Sequence, residues 1–256
     1  MRKRTTLAMF TAATALGGLA APSARAAQTD GLGDTTITNV TVDGGGKIAV
    51  GTTGARTFKV AVTASDDSGI KRAELYLDGP SYGYLQPDAT VQCVASATDA
   101  TTSTCTGTFT VDPELEFVDN TPAGTWYVSA WVDAKDRDYF TSDQAGSFAM
   151  QRLSKLTVDA SPEPVKKGGT LTVTGALTRA NWETGAYAGY TNQPAQLQFR
   201  KRDSDTYTTL KTVTTGSRGA LNTTVTATED GWYRWTFAGT STTPPATAGG
   251  DFIDVQ

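Results

Sequence analysis

Apolar side chains recur at every second position in short runs separated by Gly, Pro, Asn and Asp, the signature of half-buried strands joined by turns. The clearest run is Gly231-Trp232-Tyr233-Arg234-Trp235-Thr236-Phe237-Ala238-Gly239. Period two sets Tyr233, Trp235 and Phe237 on one face and Trp232, Arg234 and Thr236 on the other, which predicts a central strand. Gly124-Thr125-Trp126-Tyr127-Val128-Ser129-Ala130-Trp131-Val132 repeats the design about a hundred residues earlier. Two such strands predict two cores, because a domain of ~100 residues buries one.

In the first half the alternation appears at Ile37, Val40 and Val42, at Phe58, Val60 and Val62, at Ala73, Leu75 and Leu77, and at Phe109 and Val111. Residues 70–77 could form one short helix, but their period of two and the Asp78-Gly79-Pro80 turn that follows favour a strand. In the second half, runs begin at Leu156, Leu171, Ala195, Tyr207, Leu221, Trp232 and Phe252, at the roughly 8 to 12 residue rhythm of an immunoglobulin-like sandwich. The fold class expected is all-β, two tandem immunoglobulin-like antiparallel β-sandwich domains over residues 34–152 and 153–256. A Gly-containing segment, residues 27–33, is expected to be flexible.

Before that segment, Met1-Arg2-Lys3-Arg4, the apolar stretch Leu7 to Leu19 and Ala24-Arg25-Ala26 follow the order of a secretory signal peptide, residues 1–26, and point to a secreted, extracellular protein. Later runs are too short for a bilayer, and no lipid or sorting signal is seen, so no membrane anchor is expected. Losing Arg2, Lys3, Arg4 and Arg25 with the signal would take the 22 basic residues to 18 against 26 acidic, a net charge of −8. Such a chain as a whole repels phosphate backbones, which argues against nucleic acid as partner. In an oxidising compartment Cys93 and Cys105, the two cysteines, are expected to pair as a disulfide that pins a hairpin.

Catalytic chemistry is argued against by the residue inventory. There is no His, hence no Ser-His-Asp or Cys-His machinery, and no Gly-rich phosphate loop. An Asp-based glycosidase, needing only two carboxylates, is a remote option. The densest carboxylates are Asp133, Asp136 and Asp138 after one predicted strand, and Asp66 and Asp67 after another. If the two strands run the same way, these loops share an end and could hold Ca²⁺, which takes six to eight oxygens from such groups. The competing reading is that these aspartates cap turns. Trp182, Tyr187 and Tyr190 lie in a Gly-containing stretch without apolar period, as rings presented on a loop to a sugar face or a protein would. Alternatively, Trp182 and Tyr190 fold back to cap the core.

The run Leu156-Thr157-Val158, Ser161-Pro162-Glu163-Pro164-Val165-Lys166-Lys167-Gly168, Leu171-Thr172-Val173-Thr174-Gly175, Leu197-Gln198-Phe199-Arg200 and Gly231 to Thr240 resembles the secreted Ig-like proteins common in actinobacteria. Ala64-Ser65-Asp66-Asp67-Ser68-Gly69-Ile70 with Val132-Asp133-Ala134 is similar to bacterial Ig-like modules, some of which carry a calcium-binding label. The resemblance implies fold, export and a surface role, and assigns no activity. The function expected is non-enzymatic binding or adhesion to extracellular polysaccharide, cell wall or a secreted protein, assisted by Ca²⁺. The alternatives are a structural spacer or an inhibitor of an exogenous enzyme.

Overall fold

The computed structural model describes residues 27–43 and 45–256, and the expected signal peptide lies outside them. The first half is built from β1 (Thr29–Leu32), β2 (Thr36–Val42), β3 (Lys47–Val50), β4 (Arg56–Ser65), β5 (Ile70–Asp78), β6 (Tyr84–Leu85), β7 (Gln92–Ala95), β8 (Thr102–Val111), β9 (Gly124–Ala134) and β10 (Tyr139–Arg152). One sheet has the order β2-β4-β8-β7, and the other runs β1-β10-β9-β5-β6 with β3 also on β10. β3 runs parallel to β10, whereas the other pairings are antiparallel. Strands one, two, five and four of the immunoglobulin order thus face strands three, six and seven, the arrangement that defines the fold.

Alternation explains the layering. In β9, Trp126, Val128, Ala130 and Val132 are buried while Tyr127 and Trp131 face solvent. Trp126 meets Phe148 and Phe117, and its indole N–H donates to Pro122 O at 2.7 Å. A Cβ on Gly79 would stand 2.2 Å from that indole, so only Gly lets the turn after β5 close over the ring. Cys93 and Cys105 form the expected disulfide, directly opposite each other on β7 and β8 of one sheet.

The second half comprises β11 (Ser154–Leu156), β12 (Asp159–Ser161), β13 (Thr170–Asn181), β14 (Ala186–Gly189), β15 (Pro194–Lys201), β16 (Thr208–Thr214), β17 (Ala220–Thr226), β18 (Gly231–Phe237), β19 (Ala246–Thr247) and β20 (Asp251–Ile253). β13 lies between β11 and β12 on one side and β14 and β17 on the other. The facing sheet runs β16-β15-β18, with β19 and β20 on the far edge of β18. Tyr233, Trp235 and Phe237 point inward, and Trp235 joins Leu171, Val173, Leu197, Leu221 and Ile253 in the core.

Two expectations need correction. Residues 29–32, read as flexible, form an edge strand whose backbone pairs with residues 139–142 of β10. The aromatic stretch after Leu177 is a hairpin rather than an open loop: β13 continues to Asn181, residues 182–185 turn with Trp182 among them, and the chain returns as β14. Period-two apolar patterning fails there because the hairpin projects past its own sandwich onto the first one. Ala180 and Trp182 belong to the first core, and Leu153 alone separates β10 from β11. Leu153 N donates to Val50 O and its carbonyl accepts from Ala180 N, each at 2.8 Å.

Candidate functional site

Three connections meet at one end of the first sandwich: β1 to β2, β4 to β5 and β9 to β10. The last two are laced together, since Lys135 N donates to Gly69 O at 3.0 Å and Asp136 N to Ser68 Oγ at 3.3 Å. Asp34, Asp66 and Asp138 bring carboxylate oxygens within 4.8 Å of one another, as do Asp66, Asp67 and Asp136. Of the sequence-predicted metal ligands, Asp66, Asp67, Asp136 and Asp138 are therefore gathered, and Asp34 joins them.

Asp66 is the centre of this tip. It is buried, and it accepts from Ser68 N at 2.9 Å, Ser68 Oγ at 2.6 Å and Thr35 Oγ1 at 2.6 Å. Burial pushes its carboxyl up, but these hydrogen bonds together outweigh burial and hold it below the usual carboxylate range. Exposed Asp34 is shifted the other way, upward, by desolvation and then by the charges of Asp67 and Asp66. The Asp34 shift shows that the carboxylates of this tip feel one another's charge, whereas that of Asp66 records its hydrogen bonds.

Asp133 does not belong to it. Its side chain leaves β9 on the solvent face, where Arg72 Nε reaches it at 2.6 Å and the Trp131 indole N–H at 2.7 Å. Burial raises its carboxyl, and the two donors more than offset this, so it stays ionised below the ordinary range. The parity of the strand explains the correction: Asp133 shares a face with Trp131, and Ala134 with the core.

That solvent face was not among the sequence candidates. Trp131 stacks on Tyr139 of β10 with centroids 5.2 Å apart, and the Tyr139 hydroxyl donates to Asp30 of β1 at 3.0 Å. Across the sheet, Tyr76 of β5 stacks on Tyr84 of β6 at 6.1 Å, and Tyr127 of β9 lies opposite Asp78. Trp131 is 43% exposed, Tyr84 46% and Tyr127 37%, large values for rings of this size. One outer sheet face thus presents five aromatic rings, interleaved with Arg72, Glu74, Asp78 and Asp133. The signal was present in the odd positions of the run Gly124 to Val132, whose even positions fill the core.

Of the three rings predicted to meet a ligand, Trp182 and Tyr187 lie instead at the junction of the sandwiches, and Tyr190 packs within the second one. Trp182 is 4% exposed, stacks on Phe117 at 4.3 Å and donates its indole N–H to Gly51 O at 2.9 Å. Tyr187 is half-buried under Lys155 Nζ, 3.6 Å from its ring, and burial pushes its hydroxyl pKa up. Tyr190 packs edge-on against Phe237 with the Arg179 guanidinium 3.8 Å over its ring. They cap and join cores, and Trp182 offers no free face for stacking.

No family model matches the sequence, and no curated protein matches it. Among solved structures, the chain is similar to the ectodomain of mouse nectin-like molecule 4, at 14% identity over 88% of this chain and 65% of that one, with a TM-score of 0.26. It is also similar to the three N-terminal domains of the bacteriophage RB49 highly immunogenic outer capsid protein, at 11% identity over 87% and 71% of the two chains, TM-score 0.32. The D00-D0 domain of intimin matches at 12% identity over 84% of this chain and 99% of that one, TM-score 0.29. At these scores the likenesses carry no argument about function, and the strand order given above is what defines the fold.

Proposed function

We propose that this chain is a non-enzymatic, extracellular binding module that adheres to protein or polysaccharide through the outer face of the β10-β9-β5-β6 sheet. The observation that carries this reading is the set Tyr76, Tyr84, Tyr127, Trp131 and Tyr139 on one solvent-facing surface. Clustered exposed aromatics with interleaved charge are the composition of protein and sugar contact surfaces. No helix among the described residues is long and apolar enough to cross a membrane, and the disulfide suits an oxidising compartment.

The reading includes Ca²⁺ at the acidic tip, with Asp66, Asp67 and Asp136 as ligands and Asp34 and Asp138 beside them. The donor set is all carboxylate oxygen, which suits a hard cation. Held there, the ion would neutralise the crowded carboxylates and brace the β9 to β10 turn, which leads directly into Tyr139. The test is retention of the protein on immobilised polysaccharides and secreted proteins, with and without Ca²⁺. Retention lost in Trp131→Ala and Tyr127→Ala, at unchanged melting temperature, is the result expected. No retention on any of them, or retention indifferent to both substitutions, refutes the assignment.

A further inference from the structure

The second sandwich carries a surface of different chemistry on the outer face of β15, β18 and β20. Arg200 lies opposite Trp232, Gln198 opposite Arg234, and Trp232 opposite Phe252. The Arg234 guanidinium sits 3.5 Å over the ring of Tyr207, and that of Arg200 stands between rings, 5.3 Å from Tyr207 and 5.4 Å from Trp232. Trp232 and Phe252 touch at 5.2 Å. Two guanidiniums thus share one tyrosine ring.

Neither has an acidic partner among the described residues. Glu229 is taken by Lys201 at 3.0 Å, Asp230 by Arg202 at 3.0 Å and Val255 N at 2.8 Å, and Asp251 accepts from Ala160 N at 2.7 Å. Arg234 spends only Nε, on Gln198 Oε1 at 2.9 Å, and Arg200 only Nη1, on Ser204 O at 2.6 Å. The chain holds 26 acidic against 22 basic residues, so two neighbouring cations left without a carboxylate run against its overall charge. Like charges gathered on one ring repel, and a ligand anion accepting from both removes that cost.

From this we infer that the face binds a uronate-bearing polysaccharide: a sugar carboxylate accepting from the free edges of Arg234 and Arg200, which Tyr207 holds in place, with pyranose rings against Trp232 and Phe252. A guanidinium stacked on a ring keeps its in-plane N–H fork directed at a planar carboxylate. The flanking rings supply the apolar plane that a sugar face needs and a bare phosphate polymer does not use. The surface lies on strands other than those of the Trp131 face, so each can fail without the other.

The test is affinity electrophoresis of the full chain through gels containing polygalacturonate, neutral dextran or polyphosphate. Retardation by polygalacturonate alone is expected, unaffected by Trp131→Ala and weakened about tenfold or more in Arg200→Gln/Arg234→Gln, since a charge-assisted contact is lost at each site. Gln198→Glu guards against a variant that fails to fold. It places a carboxylate on Arg234 within the chain, so the fold is kept or strengthened while the ligand is displaced. Absence of retardation, equal retardation by polyphosphate, or full retardation in Gln198→Glu overturns the inference.

Discussion

Truncating Trp182 tests whether the two sandwiches hold each other. The indole is almost wholly buried between them, stacked on Phe117 and bonded to Gly51 O. Burying a ring system of ~150–250 Å² at ~25 cal/mol per Å² gives about 4–6 kcal/mol as an upper figure. Measured truncations of buried aromatics run at about 3–5 kcal/mol. The gap left at a junction can admit water to the Gly51 carbonyl, which trims the loss, so Trp182→Ala should cost about 3–4 kcal/mol. For a cooperative unit of this size that lowers Tm by about 6–16 °C. Trp182→Phe keeps the stack on Phe117 and gives up chiefly the Nε1 bond, about 1 kcal/mol. Scanning calorimetry and urea titration of the full chain read both values. The alanine variant should also separate the unfolding of the two halves into distinct transitions. A cost below about 1 kcal/mol for Trp182→Ala, with no separation, would refute the assignment of this ring to the junction.

Melting in millimolar CaCl₂ against EDTA should raise Tm, by the equivalent of about 2.7 kcal/mol at a hundredfold excess over Kd. The rise should vanish in Asp66→Asn/Asp136→Asn and persist in Asp133→Asn, whereas coincident melts in the parent would rule out the ion. In EDTA the two shifted aspartates pull in opposite directions. The depressed Asp66 contributes stability that is present above its unfolded value of 3.8 and lost as pH falls through its lower folded value. Urea midpoints of Asp66→Asn should therefore fall less on acidification below about pH 4 than those of the parent. The raised Asp34 does the reverse, its contribution being present below 3.8 and lost as pH rises through the folded value. Asp34→Asn should thus melt higher than the parent at neutral pH in EDTA, and a lower Tm would contradict the crowding argument. Reducing the Cys93–Cys105 bridge should cost about 2–3 kcal/mol for so short a loop, read as a shift in urea midpoint at constant slope.

Strand positions and buried faces were legible because alternation is a one-dimensional signal. Trp126, Val128, Tyr233 and Trp235 are buried as their parity requires. The same parity separates Asp133 from the tip, a consequence carried by its even spacing to Trp131. Asp34 escaped notice because it follows Gly33, in a stretch with no apolar period to suggest order. Only the pairing of β1 with β10 brings Gly33 against Asp138, where even a Cβ would clash with the carboxylate. The aromatics of the β13 to β14 hairpin were misplaced for a related reason. Trp182 is buried by the other sandwich, and a contact between residues 117 and 182 leaves no periodic trace in either segment.

The single residue between the sandwiches governs how the protein counts its contacts. Leu153 has both its backbone groups committed, one to each half, so the face bearing Trp131 and the face bearing Arg234 cannot swivel independently. A flexible tether would let the second face search for a site once the first had bound, at an effective concentration set by its length. Here that search is replaced by a fixed spacing. A polymer or surface whose epitopes match the spacing gains the second contact at little entropic cost, and one whose epitopes do not match gains nothing from it. If both faces bind as proposed, the junction makes them a ruler, and a Gly-Ser insertion after Leu153 would turn it into a pair of independent hands.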